Sequence, residues 1–267
     1  MEQRIIYYYQ TFIGLDKLIA QRPVPITHLH LAAIHFNFIA DKYVIHLNDH
    51  KPDSHIFDNV WSQINELSKL GVKIVLMIGG AGGGFQQLFR SYNKYFPLLV
   101  NLIQNKHFIS GIDLDIEESV ELDDVKKIIR DIHFLFGKNF IISMAPIKSS
   151  LSSDIPGMGG FIYKDLYNSY EGSLIHYFNT QTYFNFDLNT LKSIEQNGYK
   201  LDKIVLGTLS SQFSKNFNEF LKIISRYHNI YPKWGGVFNW EYYSSPPTIN
   251  DPSKWAYLIY KLLSNHT

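Results

Sequence analysis

The stretch Phe108-Ile109-Ser110-Gly111-Ile112-Asp113-Leu114-Asp115-Ile116-Glu117-Glu118 sets three carboxylates in alternation with three large aliphatics. Side chains of a strand alternate between its faces, so Asp113, Asp115 and Glu117 share one face at intervals of about 6.6 Å, and Ile112, Leu114 and Ile116 share the other. An antiparallel strand with one wet face shows the same alternation at little energetic cost. The flanking sequence decides between that strand and a buried one. Runs rich in β-branched and aromatic residues recur at residues 4–9, 27–35, 73–78, 109–115, 140–145, 174–179, 203–206 and 236–239. A segment of helix length follows each, the clearest being residues 57–70, 86–105, 122–136, 216–227 and 253–263. Repeated βα units predict a parallel sheet covered by helices.

Eight units in 267 residues fit an α/β TIM barrel, (β/α)8, typically about 250 residues long, better than a doubly wound sheet of five or six strands. The expectation is one barrel domain over residues 1–267 without an insertion domain. No Pro/Ser-rich linker interrupts the chain, and Gly71, Gly137 and Gly207 punctuate element ends as helix stops and tight turns require. In a barrel the aliphatics of the acidic strand pack on helices and its carboxylates point inward, where unpaired charge costs several kcal/mol each unless function or partners retain it. The C-terminal end of a barrel strand is where such enzymes place their chemistry.

Composition narrows the function. Lys+Arg number 25 against Asp+Glu 24, which leaves no basic surplus for a phosphate backbone and argues against nucleic acid. The absence of cysteine excludes a disulfide scaffold, thiolate zinc sites and a thiol nucleophile. Nearly uncharged apolar runs reach about ten residues, short of the roughly 20 that a spanning helix needs. The start, Met1 to Tyr9, reads as a strand and not as a basic, apolar leader; the expectation is either no export by that route or a leader already removed. A monomer without membrane partner or cofactor is expected.

Crowded carboxylates cannot all ionise at neutral pH, so the cluster should share protons with at least one pKa raised, which makes a general acid. Glu117, nearest the mouth, is the natural donor to a leaving-group oxygen, while the inner aspartates set its protonation and orient substrate. Glu118 should point away. The competing use is a magnesium or calcium site, which would need further oxygen ligands from neighbouring strands; the other strand ends offer Tyr, Gln, Asn and Trp more readily than Asp or Glu.

Gly111-Ile112-Asp113-Leu114-Asp115-Ile116-Glu117 resembles the catalytic strand of glycoside hydrolase family 18, the chitinases and related endo-β-N-acetylglucosaminidases, whose motif is DxxDxDxE. Ser110 replaces the first acid, the deepest in the family, which supports the pair above it. Other strand ends match in order. Lys73-Ile74-Val75-Leu76-Met77-Ile78-Gly79-Gly80 resembles the SxGG strand, with Met77 for Ser; Asn179-Thr180-Gln181-Thr182-Tyr183-Phe184-Asn185 resembles the QxYN pattern; Gly235-Gly236-Val237-Phe238-Asn239-Trp240 resembles the eighth strand, whose Trp floors the sugar subsite.

The resemblance implies substrate-assisted retention on chitin or N-acetylglucosamine oligosaccharides, an exception to the two-carboxylate scheme. Glu117 would be acid and then base, Asp115 would hold the acetamido N–H, Asp113 would share a proton with Asp115, and Tyr183 would bond the acetamido oxygen. Gln181 and Asn185 would fix sugar groups and Trp240 would stack on the ring. Tyr8, Phe36, Gly80 and Met144, at the ends of their strands, complete the residues expected at the substrate cleft. An endo-β-N-acetylglucosaminidase acting on the chitobiose core of N-glycans and a non-catalytic chitin-binding lectin are the alternatives, and Glu117 speaks against the lectin.

Lesser signals have simpler readings. Gly79-Gly80-Ala81-Gly82-Gly83-Gly84 lacks the Lys-Ser/Thr of a phosphate loop and should let backbone turn tightly beside the acids. His28 and His30 are expected on one face of their strand and His35 on the other, which makes no three-ligand metal set; His35-Phe36 should line the cleft. Tyr242 and Tyr243 are candidate outer sugar platforms.

Overall fold

The computed structural model describes residues 3–184 and 186–264. Among these, nine strands form one sheet: β1 (Arg4–Tyr9), β2 (His28–Ile39), β3 (Lys42–Leu47), β4 (Lys73–Gly79), β5 (Ile109–Asp115), β6 (Ile141–Met144), β7 (Tyr177–Gln181), β8 (Ile204–Leu209) and β9 (Gly236–Trp240). Their order, β1-β9-β8-β7-β6-β5-β4-β2-β3 with β1 also paired to β2, closes a barrel of eight parallel strands. Helices lie between the strands, and the architecture is the expected (β/α)8 barrel. Among the described residues no helix is long and apolar enough to cross a membrane.

Strand alternation builds two cores. Outward residues such as Ile112, Leu114 and Ile116 join the large core beneath the helices, where Val125, Ile128, Ile129 and Ile132 of helix Leu122–Phe136 meet them. Each such aliphatic contributes about 1.5–3 kcal/mol by leaving water. Inward residues fill the lumen with Ile6, Tyr8, Val75, Met77, Ile141, Tyr177, Val205 and Phe238. Gly207 is required there by space: a Cβ would stand 1.8 Å from the Phe238 ring.

Three local departures have physical causes. The second strand runs past the barrel into a hairpin with β3, turning at Ala40 and Asp41, both at positive φ; this turn type is usually flagged by Asn-Gly or Asp-Gly, and Ala-Asp is a weak signal. The helix expected over residues 86–105 breaks at Ser91, whose backbone leaves helical geometry and whose carbonyl accepts from Lys94 and Tyr95, giving helices Phe85–Arg90 and Tyr92–Asn105. The strand expected to start at residue 174 starts at Tyr177, because Leu174 closes the short helix Tyr170–Leu174.

A bulge in β2 corrects the histidine faces. Pairing with β4 slips between Leu31 and Ile34, so Ala32 and Ala33 both join the lumen and alternation resumes one residue out of phase. Ile34 and Phe36 therefore pack outward, and His35 returns to the mouth side, with its Nδ1 3.0 Å from the Gly83 carbonyl oxygen.

Candidate active site

Asp113 lies deep in the lumen and is fully buried. Its Oδ1 accepts from Ser143 Oγ at 2.6 Å and Asn179 Nδ2 at 3.2 Å, and its Oδ2 accepts from Tyr8 Oη at 2.7 Å. His30 Nδ1 stands 3.4 Å from the same Oδ2. Burial alone would raise this carboxyl, but the His30 imidazole and the donors Ser143 and Tyr8 outweigh it and hold Asp113 below the ordinary carboxylate range.

Two residues further along, Asp115 accepts from the amide of Gln181 at 3.1 Å. Burial first, then the neighbouring charges of Glu117 and Asp113, push its pKa well above the ordinary range, and Gln181 only partly offsets them. Glu117 follows the end of β5 and is half-buried at the mouth, where the same Gln181 Nε2 stands 3.3 Å from its Oε1 and 3.0 Å from the Ala145 carbonyl. One amide thus ties the two upper carboxyls to each other and to the neighbouring strand end.

The phenol of Tyr183, two residues past the end of β7, borders the carboxyls from the same quarter of the barrel. Burial, Asp115, Glu117 and Asp113, in that order, raise its pKa well above that of free tyrosine, so it remains a proton donor. Trp240 is half-buried with its ring 5.1 Å from that of Tyr8, and forms part of the floor. The glycine turn frames the third side: Gly79 and Gly80 take φ of +90° and +82°, and Gly80 N–H donates to the Asp115 carbonyl at 2.8 Å. A Cβ on Gly80 would lie 3.5 Å from Asp115 Oδ2 and 2.8 Å from Met77 Cε.

The expected residues do not all converge. Glu117, Asp115, Asp113, Gln181, Tyr183, Trp240 and Gly80 come together. Tyr8 faces the lumen but is 1% exposed, so it supports Asp113 and offers no face to a sugar. Phe36 and Met144 belong to the outer core, Phe36 5.4 Å from the Tyr95 ring; the β2 bulge turns the first outward, and the alternation of β6 puts Ser143, not Met144, on the lumen side. Tyr242 is fully buried against Tyr7 and Tyr9, which leaves Tyr243 as the exposed member of that pair. Asn185 lies outside the described residues. Glu118 does not point away, since its Oε1 accepts from the backbone N–H of Gly84 at 2.5 Å and of Phe85, pinning the glycine turn.

Ser143 and Asn179 escaped the sequence reading, although one signal existed: Asn179 shares a strand face with Gln181 two residues on. Ser143 stands opposite Asp113 in the β5–β6 register, which only the paired sheet reveals. Among the described residues no group of three or more His, Asp or Glu side chains is arranged to hold a metal ion.

No family model and no curated protein matches the chain, but solved structures do. A fungal endo-β-N-acetylglucosaminidase of glycosyl hydrolase family 18 is 28% identical, with 99% of each chain covered and a TM-score of 0.88. A chitinase from Aspergillus fumigatus is 27% identical over 92% of this chain and 94% of that one, with a TM-score of 0.82. A family 18 chitinase from Pseudoalteromonas aurantia, 16% identical over 98% and 100% with a TM-score of 0.72, extends the likeness in fold alone. These whole-length matches make the chain similar to enzymes of glycoside hydrolase family 18 and, joined to an acidic strand that delivers its carboxyls to the barrel mouth, they support a glycosidase.

Proposed function

We propose that the protein hydrolyses the β-1,4 bond between N-acetylglucosamine units of chitin or chitooligosaccharides, with retention and with the substrate's own acetamido group as nucleophile. The observation that carries this reading is the one-sidedness of the acid cluster. Asp113, Asp115 and Glu117 all come from one strand and its extension, and the end of β7, two strands along the barrel, supplies the Gln181 amide and, just beyond it, the Tyr183 phenol. A retaining enzyme with its own nucleophile sets two carboxyls about 5–5.5 Å apart across the scissile bond; a cluster on one wall takes the nucleophile from the sugar.

Glu117 gives its proton to the glycosidic oxygen as that oxygen leaves the anomeric carbon, while the acetamido carbonyl oxygen attacks from the other face and closes an oxazolinium ring. Asp115, as carboxylate, accepts the acetamido N–H and faces the positive charge, and Tyr183 donates to the acetamido oxygen. Glu117 then takes a proton from water as the water oxygen attacks the anomeric carbon and the ring opens. Trp240 lies under the sugar. The N-acetyl group at the cleavage subsite is therefore indispensable.

A second reading is supported by a polar cleft of about 770 Å³ between the β2–β3 hairpin and helix Phe85–Arg90, lined by His35, Asn37, His46, Asp49, Gln87 and Arg90. Its side chains suit the hydroxyls of a branched glycan, as an endo-β-N-acetylglucosaminidase acting on the N-glycan core requires. Hydrolysis of a fluorogenic triacetylchitotriose by wild type and Glu117→Gln, with mass detection, tests the first reading: wild type cleaves and the amide variant is slower by orders of magnitude. A glycoprotein cut where chitotetraose is spared would install the second reading. Binding of both without turnover would leave a lectin.

A further inference from the structure

Among the buried polar atoms of the lumen without a hydrogen-bond partner, the Nδ1 of His30 is the one aimed at a carboxylate. His30 is completely buried; its Nε2 lies 3.0 Å from the Tyr177 hydroxyl, while its Nδ1 makes no hydrogen bond and points at Asp113 Oδ2 from 3.4 Å. A bare Nδ1 lone pair at that distance would face the lone pairs of a carboxylate in a low-dielectric interior, which is repulsive. The proton therefore sits on Nδ1, and the imidazole presents an N–H to Asp113.

The two Asp113 oxygens already accept from Tyr8, Ser143 and Asn179. An ionised carboxylate is acceptor-only with about four lone-pair sites. With His30 the fourth site also faces a donor, so Asp113 is surrounded by hydrogens and a proton placed on it would displace one of them. The groups around the imidazole are all accounted for: Tyr8 on β1 at 4.8 Å between ring centroids, Asp113 on β5, Tyr177 on β7 at 6.1 Å, and His28 two residues below on β2. Arg4 covers the far side of Tyr177 at 4.5 Å. Position 110, where a further acid would complete the strand, holds a serine whose hydroxyl reaches only as far as the Phe108 carbonyl, at 3.4 Å.

We propose that His30 is a positioning residue that fixes Asp113 as an anion and so keeps the acid strand's proton on the Asp115–Glu117 pair, the work that a carboxyl at position 110 does not do in this chain. The consequence rests on the glycosidase reading above. With substrate absent the proton stays on Asp115; with an acetamido N–H presented to Asp115, the proton passes along the pair to Glu117, where it serves the leaving group. If Asp113 could take it, the proton would instead be lost downward, away from the scissile bond.

The test is a carboxyl 13C NMR titration of protein labelled at its aspartates, with assignments from Asp113→Asn and Asp115→Asn. It needs no substrate, so it is independent of whether the chitooligosaccharide reading survives. In wild type the Asp113 carboxyl should hold its ionised shift down to low pH, while Asp115 titrates well above it. His30→Phe should reverse that order, and His30→Gln, which keeps an N–H, should restore it. In kinetics His30→Phe should lower kcat about tenfold, less than the roughly 10²–10⁴ of losing the general acid itself, with KM unchanged and a displaced pH profile; a packing role alone would lower stability and leave the profile in place. Should His30→Phe not fold, the wild-type titration and His30→Gln still decide. A protonated Asp113 in wild type, or titrations unmoved by His30→Phe, would overturn the proposal.

Discussion

Asp113 and Asp115 stand two residues apart on the same strand face, yet the lower lumen and the upper lumen treat them oppositely. Below, hydroxyls, an amide and an imidazole converge on Asp113 and hold its pKa down in spite of full burial. Above, Asp115 accepts from an amide and has another carboxyl next to it, and its pKa is driven up. Burial is nearly the same at the two positions. Neighbouring charge and the supply of donors together decide the sign: the His30 imidazole and hydroxyl donors hold Asp113 down, whereas the Glu117 and Asp113 carboxyls hold Asp115 up.

Breaking the upper region should have the largest effect. Glu117→Gln removes the acid without removing its shape and should cost about 10²–10⁴ in kcat, measured on the fluorogenic oligosaccharide, with the melting curve unchanged. Tyr183→Phe follows, at about 10² in kcat for one donor to the developing oxazolinium, and chitooligosaccharide turnover checks it. A drop of less than tenfold would remove that phenol from the mechanism.

Breaking the lower region should appear in stability. Asp113→Asn turns an acceptor-only group into one that presents its own N–H to the surrounding donors, and unfolding in urea should show a loss of about 1–3 kcal/mol. Asp115→Asn should do the reverse, and only at higher pH. Because burial and the neighbouring charges raise the folded-state pKa of Asp115, wild type has its full stability below the unfolded carboxyl pKa of about 3.9 and loses part of it as pH rises through the folded value. Asp115→Asn carries no such cost, so thermal melts of the two should coincide in acid and diverge in favour of the amide as pH rises. The smallest expected effect is that of Ser110→Asp, which puts a carboxyl lower on the acid strand and should displace the pH–rate profile by less than about one unit; a superimposable profile would show that His30 leaves nothing for that position to do.

Much of this was legible because alternation is local. The period of two in Ile112 to Glu117 assigned inward and outward faces correctly, and the recurrence of βα units identified the barrel. The same rule failed at His35 and Phe36, where the β2 bulge shifts the phase after Leu31; a bulge is set by pairing with β4, not by the residues in it. Met144 failed for a related reason, since a strand of four residues offers too few alternations to locate the face. Glu118 was misplaced because its partners, the Gly84 and Phe85 amides, come from another βα unit.

The sequence by itself determined the barrel, the strand that carries the acids and the order of those acids toward the mouth, because these depend on periodicity and on residue type along one segment. The tertiary structure decided which acid keeps its proton. That outcome depends on Tyr8, His30, Ser143, Asn179 and Gln181, which reach the acids from four other strands, and electrostatic interactions of buried groups are set by distances of a few ångströms that no linear pattern encodes.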